Sequence, residues 1–356
     1  MVISMVSDMW LNPREEPFEI IGLPWLMQYG AYRRLPPGSA EPQIPLDIDG
    51  LADCTAGGQI RFTTNSTRIL VRVLLGGLAY MNHMPATGQC GFDCYVGASG
   101  NQRFTGCAKY DIKQDNYECL LFKQDAPAMR EVTLNFPLYI GVKNIMVGLD
   151  AGSEAVKPAP LKNHGRCIFY GTSITQGGCA SRPGLAYTNI ISRLLGIECV
   201  NLGFSGCGRG EEFMARLMAS IPDPACYILD YEANVNAGMM QKTLPGFIEV
   251  LRTGNPGVPL LLASRIRFAQ DGFLKESAGD SEACRKIQSD AVKAIGGKDV
   301  AFLDGSRILG SDFDECTVDG VHPNDIGFMR IARAFAPVMA DLMQMEALLR
   351  SREFRY

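Results

Sequence analysis

The sequence predicts two domains of different class: an all-β sandwich or jelly roll over residues 1–163, then an α/β domain over residues 164–356 with a parallel sheet flanked by helices. Three observations lead there. Apolar residues of the first half fall into short runs separated by Gly, Pro, Asn and Asp, as strands and turns do. The second half alternates strand-like runs with helical stretches, the pattern of a parallel sheet. Between them, residues 151–164 carry Gly152, Pro158 and Pro160 and no apolar period, which marks a boundary.

Taken in order, the first clear strands are residues 59–63 and 67–75. In the second, Ile69, Val71 and Val73 alternate with Leu70, Arg72 and Leu74, a period of 2. Further strands are expected at 91–96, 117–123, 131–136 and 143–149. Such spacing suits a sandwich or jelly roll. Beyond His164, strands at 167–170, 199–202, 227–229, 259–263 and 300–303 alternate with helices such as 186–195 and 211–221. A last helix is expected over 326–349, kinked at Pro337, with Met329, Met339, Met343 and Met345 read as packing residues.

The chain has 356 residues, 34 basic and 38 acidic, for a net charge of −4, which excludes a generic nucleic-acid binder. No run approaches the roughly 20 apolar residues of a membrane-spanning helix. Residues 1–10 lack the basic flank and apolar block of a signal peptide, so the chain reads as soluble and cytoplasmic, or as exported if a leader has been removed. Twelve cysteines are scattered from Cys54 to Cys316 with no C-x-x-C pair, and there are three histidines. That supply predicts reduced, packed thiols and no metal site. Oligomeric state is left open.

Reactive groups in an open parallel sheet gather where strands run into helices. After the first such strand comes Gly171-Thr172-Ser173, a turn in which a serine hydroxyl can stand beside backbone N–H groups. An isolated serine there would be an ordinary helix cap. The second strand ends in a run containing Gly203, Gly206 and Gly208, and the third leads to Asp230-Tyr231-Glu232-Ala233-Asn234, which offers an amide. Near the C-terminus, Asp319 precedes His322 by three residues, so the carboxylate can fix the ring tautomer and leave the other nitrogen to take a hydroxyl proton. His83 and His164 have no such partner at fixed spacing and read as structural.

Together these four loops resemble the SGNH hydrolases, or GDSL-type esterases, which implies a flavodoxin-like three-layer domain. The resemblance implies a nucleophile at Ser173, a base at His322, an orienting carboxylate at Asp319, and an oxyanion hole from Ser173, Gly206 and Asn234. It requires no cofactor and no metal. Thr172 stands where the family has aspartate, and the third block departs from the usual G-x-N-D. Gly91-Phe92-Asp93-Cys94-Tyr95 resembles the G-x-D-L-Y motif of a β-rich N-terminal domain found with some of these hydrolases, with Cys94 in the leucine position. Residues 171–184, including Ser181-Arg182-Pro183-Gly184, resemble that subset's extended first block. The expected activity is hydrolysis of a short-chain ester, acetyl first, on a carbohydrate or other small polar alcohol. Two alternatives stand beside it: a non-catalytic glycan-binding protein with an inactive hydrolase domain, and a lipase for longer acyl chains. An ordinary α/β-hydrolase is disfavoured because G-x-S-x-G is absent.

Overall fold

The computed structural model describes residues 8–38 and 44–345. Its first ten strands are β1 (Asp8–Leu11), β2 (Glu19–Ile21), β3 (Gln59–Thr64), β4 (Arg68–Leu75), β5 (Asp93–Val96), β6 (Arg103–Cys107), β7 (Asn116–Lys123), β8 (Arg130–Asn135), β9 (Val142–Asp150) and β10 (Ala155–Val156). They form two antiparallel sheets, ordered β1-β9-β4-β7 and β10-β3-β8-β5-β6, with β2 paired to β3. The alternation read in β4 sorts most of its side chains: Ile69, Val71, Val73 and Leu75 are buried and Arg72 and Leu74 exposed, but Leu70, expected on the outward face, is buried too, where the Trp10 ring lies over its β9 partner Gly148. The inward residues share one core with Ile60, Phe62, Val132 and Leu134 of the facing sheet, and the result is a β-sandwich. Strand β6 has no counterpart among the expected strands because it lies at a sheet edge with no buried residue to set a period.

The next five strands are β11 (Arg166–Gly171), β12 (Glu198–Gly203), β13 (Pro224–Asp230), β14 (Leu260–Ala263) and β15 (Val300–Leu303). They are parallel and ordered β12-β11-β13-β14-β15, the flavodoxin-like arrangement in which ligands bind beyond the carboxyl ends of the strands. Both faces are covered. Cys167 and Phe169 of β11 enter one core with the helices Tyr187–Leu195 and Asp325–Leu342. Ile168 and Tyr170 enter another, with Glu212–Ser220, Ala237–Gly254 and Lys275–Ile295. The last helix runs through Pro337 and stops at Leu342; residues 346–349 of the expected helix lie outside the described residues. Met329, Met339, Met343 and Met345 pack on the same core. No helix among the described residues is long and apolar enough to cross a membrane.

The sandwich supplies residues to both of these cores: Met84, Leu138 and Tyr139 to one, Leu35, Ile48 and Ala52 to the other. Polar contacts reinforce the junction. The Arg34 guanidinium is fully buried and donates to the carbonyls of Cys54 (2.8 Å), Leu51 (2.8 Å), Asn201 (3.3 Å) and Gly203, with its centre 4.5 Å from the Phe204 ring. Burial pulls it down to about 10 from the usual arginine value. Asp93 is also fully buried; its carboxylate accepts from Asn135 Nδ2 (2.7 Å), Arg182 (2.9 Å) and the Gly184 N–H (2.8 Å). Cys94, in the leucine position, lies in the sandwich core as a small apolar side chain.

Candidate active site

Ser173 stands where β11 ends. A Cβ at Gly171 would meet Thr175 Oγ1 at 2.0 Å and the Asp230 carbonyl at 2.5 Å, so a glycine is needed for the turn. Thr172 then caps the short helix Ser173–Gln176: its side chain accepts from Ile174 N–H (3.2 Å), and the Thr175 hydroxyl accepts from Thr172 N–H (3.1 Å). Threonine thus does here what aspartate can also do, since both are good N-caps. Ser173 itself is half-buried at the head of the helix.

His322 is delivered by the turn before the last helix. Asp319 Oδ1 accepts the N–H groups of Val321 (3.0 Å) and His322 (2.8 Å), and Oδ2 lies 2.8 Å from the ring Nδ1. The other ring nitrogen, Nε2, is 2.9 Å from Ser173 Oγ. Burial raises the Asp319 carboxyl, but the hydrogen bonds from His322 and Val321 outweigh it and hold the group below the usual carboxylate range. The His322 and Asp319 side chains are 22% and 35% exposed, so the line opens on solvent. The segment after β14 buttresses the turn through Ala269 N–H to the Gly320 carbonyl (2.9 Å).

Among the described residues the N–H groups of Ser173 and Gly206 make no hydrogen bond. The other two second-block glycines are occupied: Gly203 N–H donates to Asn201 Oδ1 (2.9 Å) and Gly208 N–H to the Phe204 carbonyl (3.2 Å). Gly206 sits at φ +71°, which favours glycine. Asn234 comes to the same loop, but its Nδ2 donates to the carbonyls of Phe204 (3.3 Å) and Gly208 (3.2 Å), one on each side of Gly206. Three residues not singled out from the sequence fix these loops to one another. Gln176 accepts from Ser205 N–H (3.2 Å) and donates to the Leu138 carbonyl (3.1 Å). Asn201 donates to the Thr175 carbonyl (2.7 Å), and the Tyr139 hydroxyl donates to the Ser173 backbone carbonyl (3.2 Å). For Gln176 and Asn201 the available signal was weak, a polar side chain within or beside a glycine-rich run, and Tyr139 carried none.

Glu232, in the third block, is buried and turned away from the loop that Asn234 spans. It accepts from Ser281 Oγ (2.9 Å), Gln288 Nε2 (2.7 Å) and Arg265 N–H (3.2 Å). Burial pushes it up to about 7, with those hydrogen bonds opposing.

The histidines divide differently from the sequence reading. His164 is exposed, but His83, expected to be structural, reaches the site from the loop between β4 and β5; its ring centroid lies 5.6 Å from that of His322 with the planes inclined at 55°. Fixed spacing could not reveal this, because the two residues meet only through the domain junction. Cys179, at the end of the first block, is buried and holds φ +75°, unusual for a residue with a side chain. Burial, and then the charge of Asp319, push its thiol up to about 12.

Residues 164–340 match the GDSL-like lipase/acylhydrolase family, and residues 9–155 match the family described as the N-terminus of SGNH-hydrolase-type esterases. Among solved structures, the chain is similar to a Bacteroides ovatus protein named for its likeness to GDSL lipases, at 26% identity over 95% of this chain and 98% of that one, with a TM-score of 0.86. It shares its fold with a salicylyl-acyltransferase from a tetracycline biosynthetic pathway, at 22% identity over 94% and 97% of the two chains and a TM-score of 0.73. A family two carbohydrate esterase from Cellvibrio japonicus shares the fold too, at 14% identity over 96% and 99%, with a TM-score of 0.61. No curated protein matches the chain.

Proposed function

The second domain of this chain belongs to the GDSL-like lipase/acylhydrolase family and the first to the N-terminal domain family of SGNH-type esterases, and from that premise we propose a serine esterase that removes short acyl groups, acetyl first, from a carbohydrate or similarly polar alcohol. The observation that carries the reading is the continuous line from Asp319 through His322 to Ser173, with contacts of 2.8 and 2.9 Å, beside two unspent N–H groups.

In this reading Ser173 Oγ attacks the ester carbonyl as its proton passes to His322 Nε2, while Asp319 holds the proton on Nδ1 and stabilises the imidazolium. The tetrahedral oxyanion is met by the N–H groups of Ser173 and Gly206, and Asn234 turns one amide proton from a loop carbonyl towards it. Collapse expels the alcohol, which takes its proton from His322. A water then repeats the sequence on the acyl-enzyme and releases the acid. The residues at the site perform every step, and no cofactor enters.

The short-acyl preference is supported by two considerations. The sequence holds no long apolar segment of the kind that lies on a membrane surface. The sandwich loop bearing His83 stands beside His322, and a wall there restricts the cleft by shape, which discriminates acyl length more sharply than the roughly 1–3 kcal/mol that each methylene supplies. For the alcohol, a carbohydrate esterase of the same two-domain fold supplies the suggestion and no more. The test is a nitrophenyl ester series from acetate to decanoate alongside acetylated sugars. Turnover should be fastest on acetate and vanish in Ser173→Ala with thermal stability retained. Rates that peak at octanoate or beyond would establish the lipase reading instead, and a fully active Ser173→Ala would remove the mechanism.

A further inference from the structure

We propose that His83, Cys179 and His322 form a zinc site, and that a zinc ion bound there shuts the active site. One coordinating atom from each residue lies within 4.8 Å of the other two. Zinc binds imidazole nitrogen at about 2.0–2.1 Å and thiolate sulfur at about 2.3 Å, so tetrahedral donors sit about 3.3–3.6 Å apart. Closing that gap takes side-chain movements of about an ångström.

Two of the three residues, Cys179 and His83, have an unspent donor. Among the described residues Cys179 Sγ makes no hydrogen bond, although the thiol is buried. Among the described residues His83 makes one long hydrogen bond, Nδ1 to Asn82 Oδ1 at 3.3 Å, and none at Nε2. Two features hold them in place. Cys179 occupies the left-handed region at φ +75°, a conformation that persists only where the surroundings impose it and that tends to occur at ligand clamps and active sites. The His83 loop is pinned by buried Gln89, which accepts from the N–H groups of Tyr80 and Met81 (both 3.0 Å) and donates to the carbonyls of Met81 (3.0 Å) and Met84 (2.6 Å).

The donor chemistry narrows the ion. One sulfur and two imidazole nitrogens suit zinc and are poor ligands for magnesium or calcium. Three protein ligands leave a fourth position for water. On binding, the Cys179 thiol releases its proton to solvent as the sulfur–zinc bond forms. The effect on catalysis rests on the function proposed above. Both nitrogens of His322 are engaged, Nε2 with Ser173 and Nδ1 with Asp319, so whichever one the ion takes, one link of the line is broken. The three ligands come from the sandwich, the first block and the last block, which is why a search for metal-ligand spacing in the sequence passes over them.

The test uses the full chain freed of metal with a chelator. Equilibrium dialysis against zinc chloride should give one bound zinc, cobalt(II) should give a thiolate charge-transfer band, and nitrophenyl acetate hydrolysis should fall as zinc is added and return with EDTA. Losing even an outer-shell partner weakens metal binding about 10–100-fold, so Cys179→Ser and His83→Gln should each weaken zinc binding by more than tenfold. Inhibition is scored against each variant's own metal-free rate, and the cobalt band should be absent in Cys179→Ser. If Cys179→Ser does not fold, His83→Gln, on a half-buried loop, still decides. No bound zinc in the wild type, or variants that bind as the wild type does, would overturn the site. A chain that binds zinc through these residues but hydrolyses no ester would leave the site standing and defeat the function proposed above.

Discussion

Asp319 commits both carboxylate oxygens to the segment it orients, one to two backbone N–H groups and one to the imidazole. An asparagine there keeps the shape but offers an amide to Nδ1, which selects the tautomer whose Nε2 already carries a proton. Asp319→Asn should therefore lower kcat on the order of 10³–10⁴-fold with little change in KM, as steady-state kinetics on acetate esters would show. Asn234→Ala should cost on the order of 10²–10³-fold if the amide turns to the oxyanion. A loss of only a few-fold would assign Asn234 to holding the loop around Gly206. At this scale the pairing of Asp319 with His322 was legible from their spacing of three residues, whereas Ser173, alone an ordinary helix cap, was legible only through the ordered set of blocks to which it belongs. The direction of an amide and the freedom of an N–H are set by partners distant in sequence, so the contacts of Asn234 and the place of His83 were not.

Glu232 joins the loop after β13 to the start of β14's outgoing segment and to the helix Lys275–Ile295. Arg265, the nearest cation at 3.8 Å, is already engaged by Asp271 at 2.7 and 2.8 Å, so burial prevails and Glu232 rises to about 7. In the unfolded chain the group ionises near its ordinary value of 4.5. Between these values the folded protein holds a proton that the unfolded chain has lost, so this group's contribution to stability falls as pH rises from about 4.5 to about 7 and is level above. Glu232→Gln cannot ionise; its amide oxygen can still accept from Gln288 and Arg265 while its NH2 donates to Ser281 Oγ, reversing that one bond, so the variant should gain stability relative to the wild type as pH rises across that window, as denaturant titrations at pH 5 and pH 8 would register. A difference that is independent of pH would contradict the assignment. The helix Lys275–Ile295 that Glu232 grips was not singled out in the sequence, and the reason is visible: of its 21 residues only Ser281, Cys284 and Gln288 are buried, so no apolar stripe marks it. Strand β4, with one face inward, was legible from its alternation alone. The motif around Asp93 was legible as a pattern, while its purpose needed the structure: the same carboxylate that joins β5 to β8 through Asn135 also holds Arg182 and Gly184 of the extended first block.

The division we propose at 163/164 separates sheets but not cores, since each core of the parallel-sheet domain includes side chains of the sandwich. Apolar surface shared in this way couples the two halves. Calorimetry of the whole chain should show a single cooperative transition, and Arg34→Met should lower it without splitting it. The carbonyls that substitution strands in the interior cost about 1–3 kcal/mol each. Two separated transitions in the wild type would mean that the shared contacts do not bind the halves into one unit. Arg34 also carries a consequence for synthesis on the ribosome. Two of its acceptors, Asn201 and Gly203, lie 167 and 169 residues downstream. At about 5–20 residues per second, the guanidinium waits roughly 10–30 s after it is made before those carbonyls exist. Throughout that interval the nascent sandwich must keep a charged side chain in water that it will later bury, so its face toward the second block is completed only once the growing chain has passed Gly203.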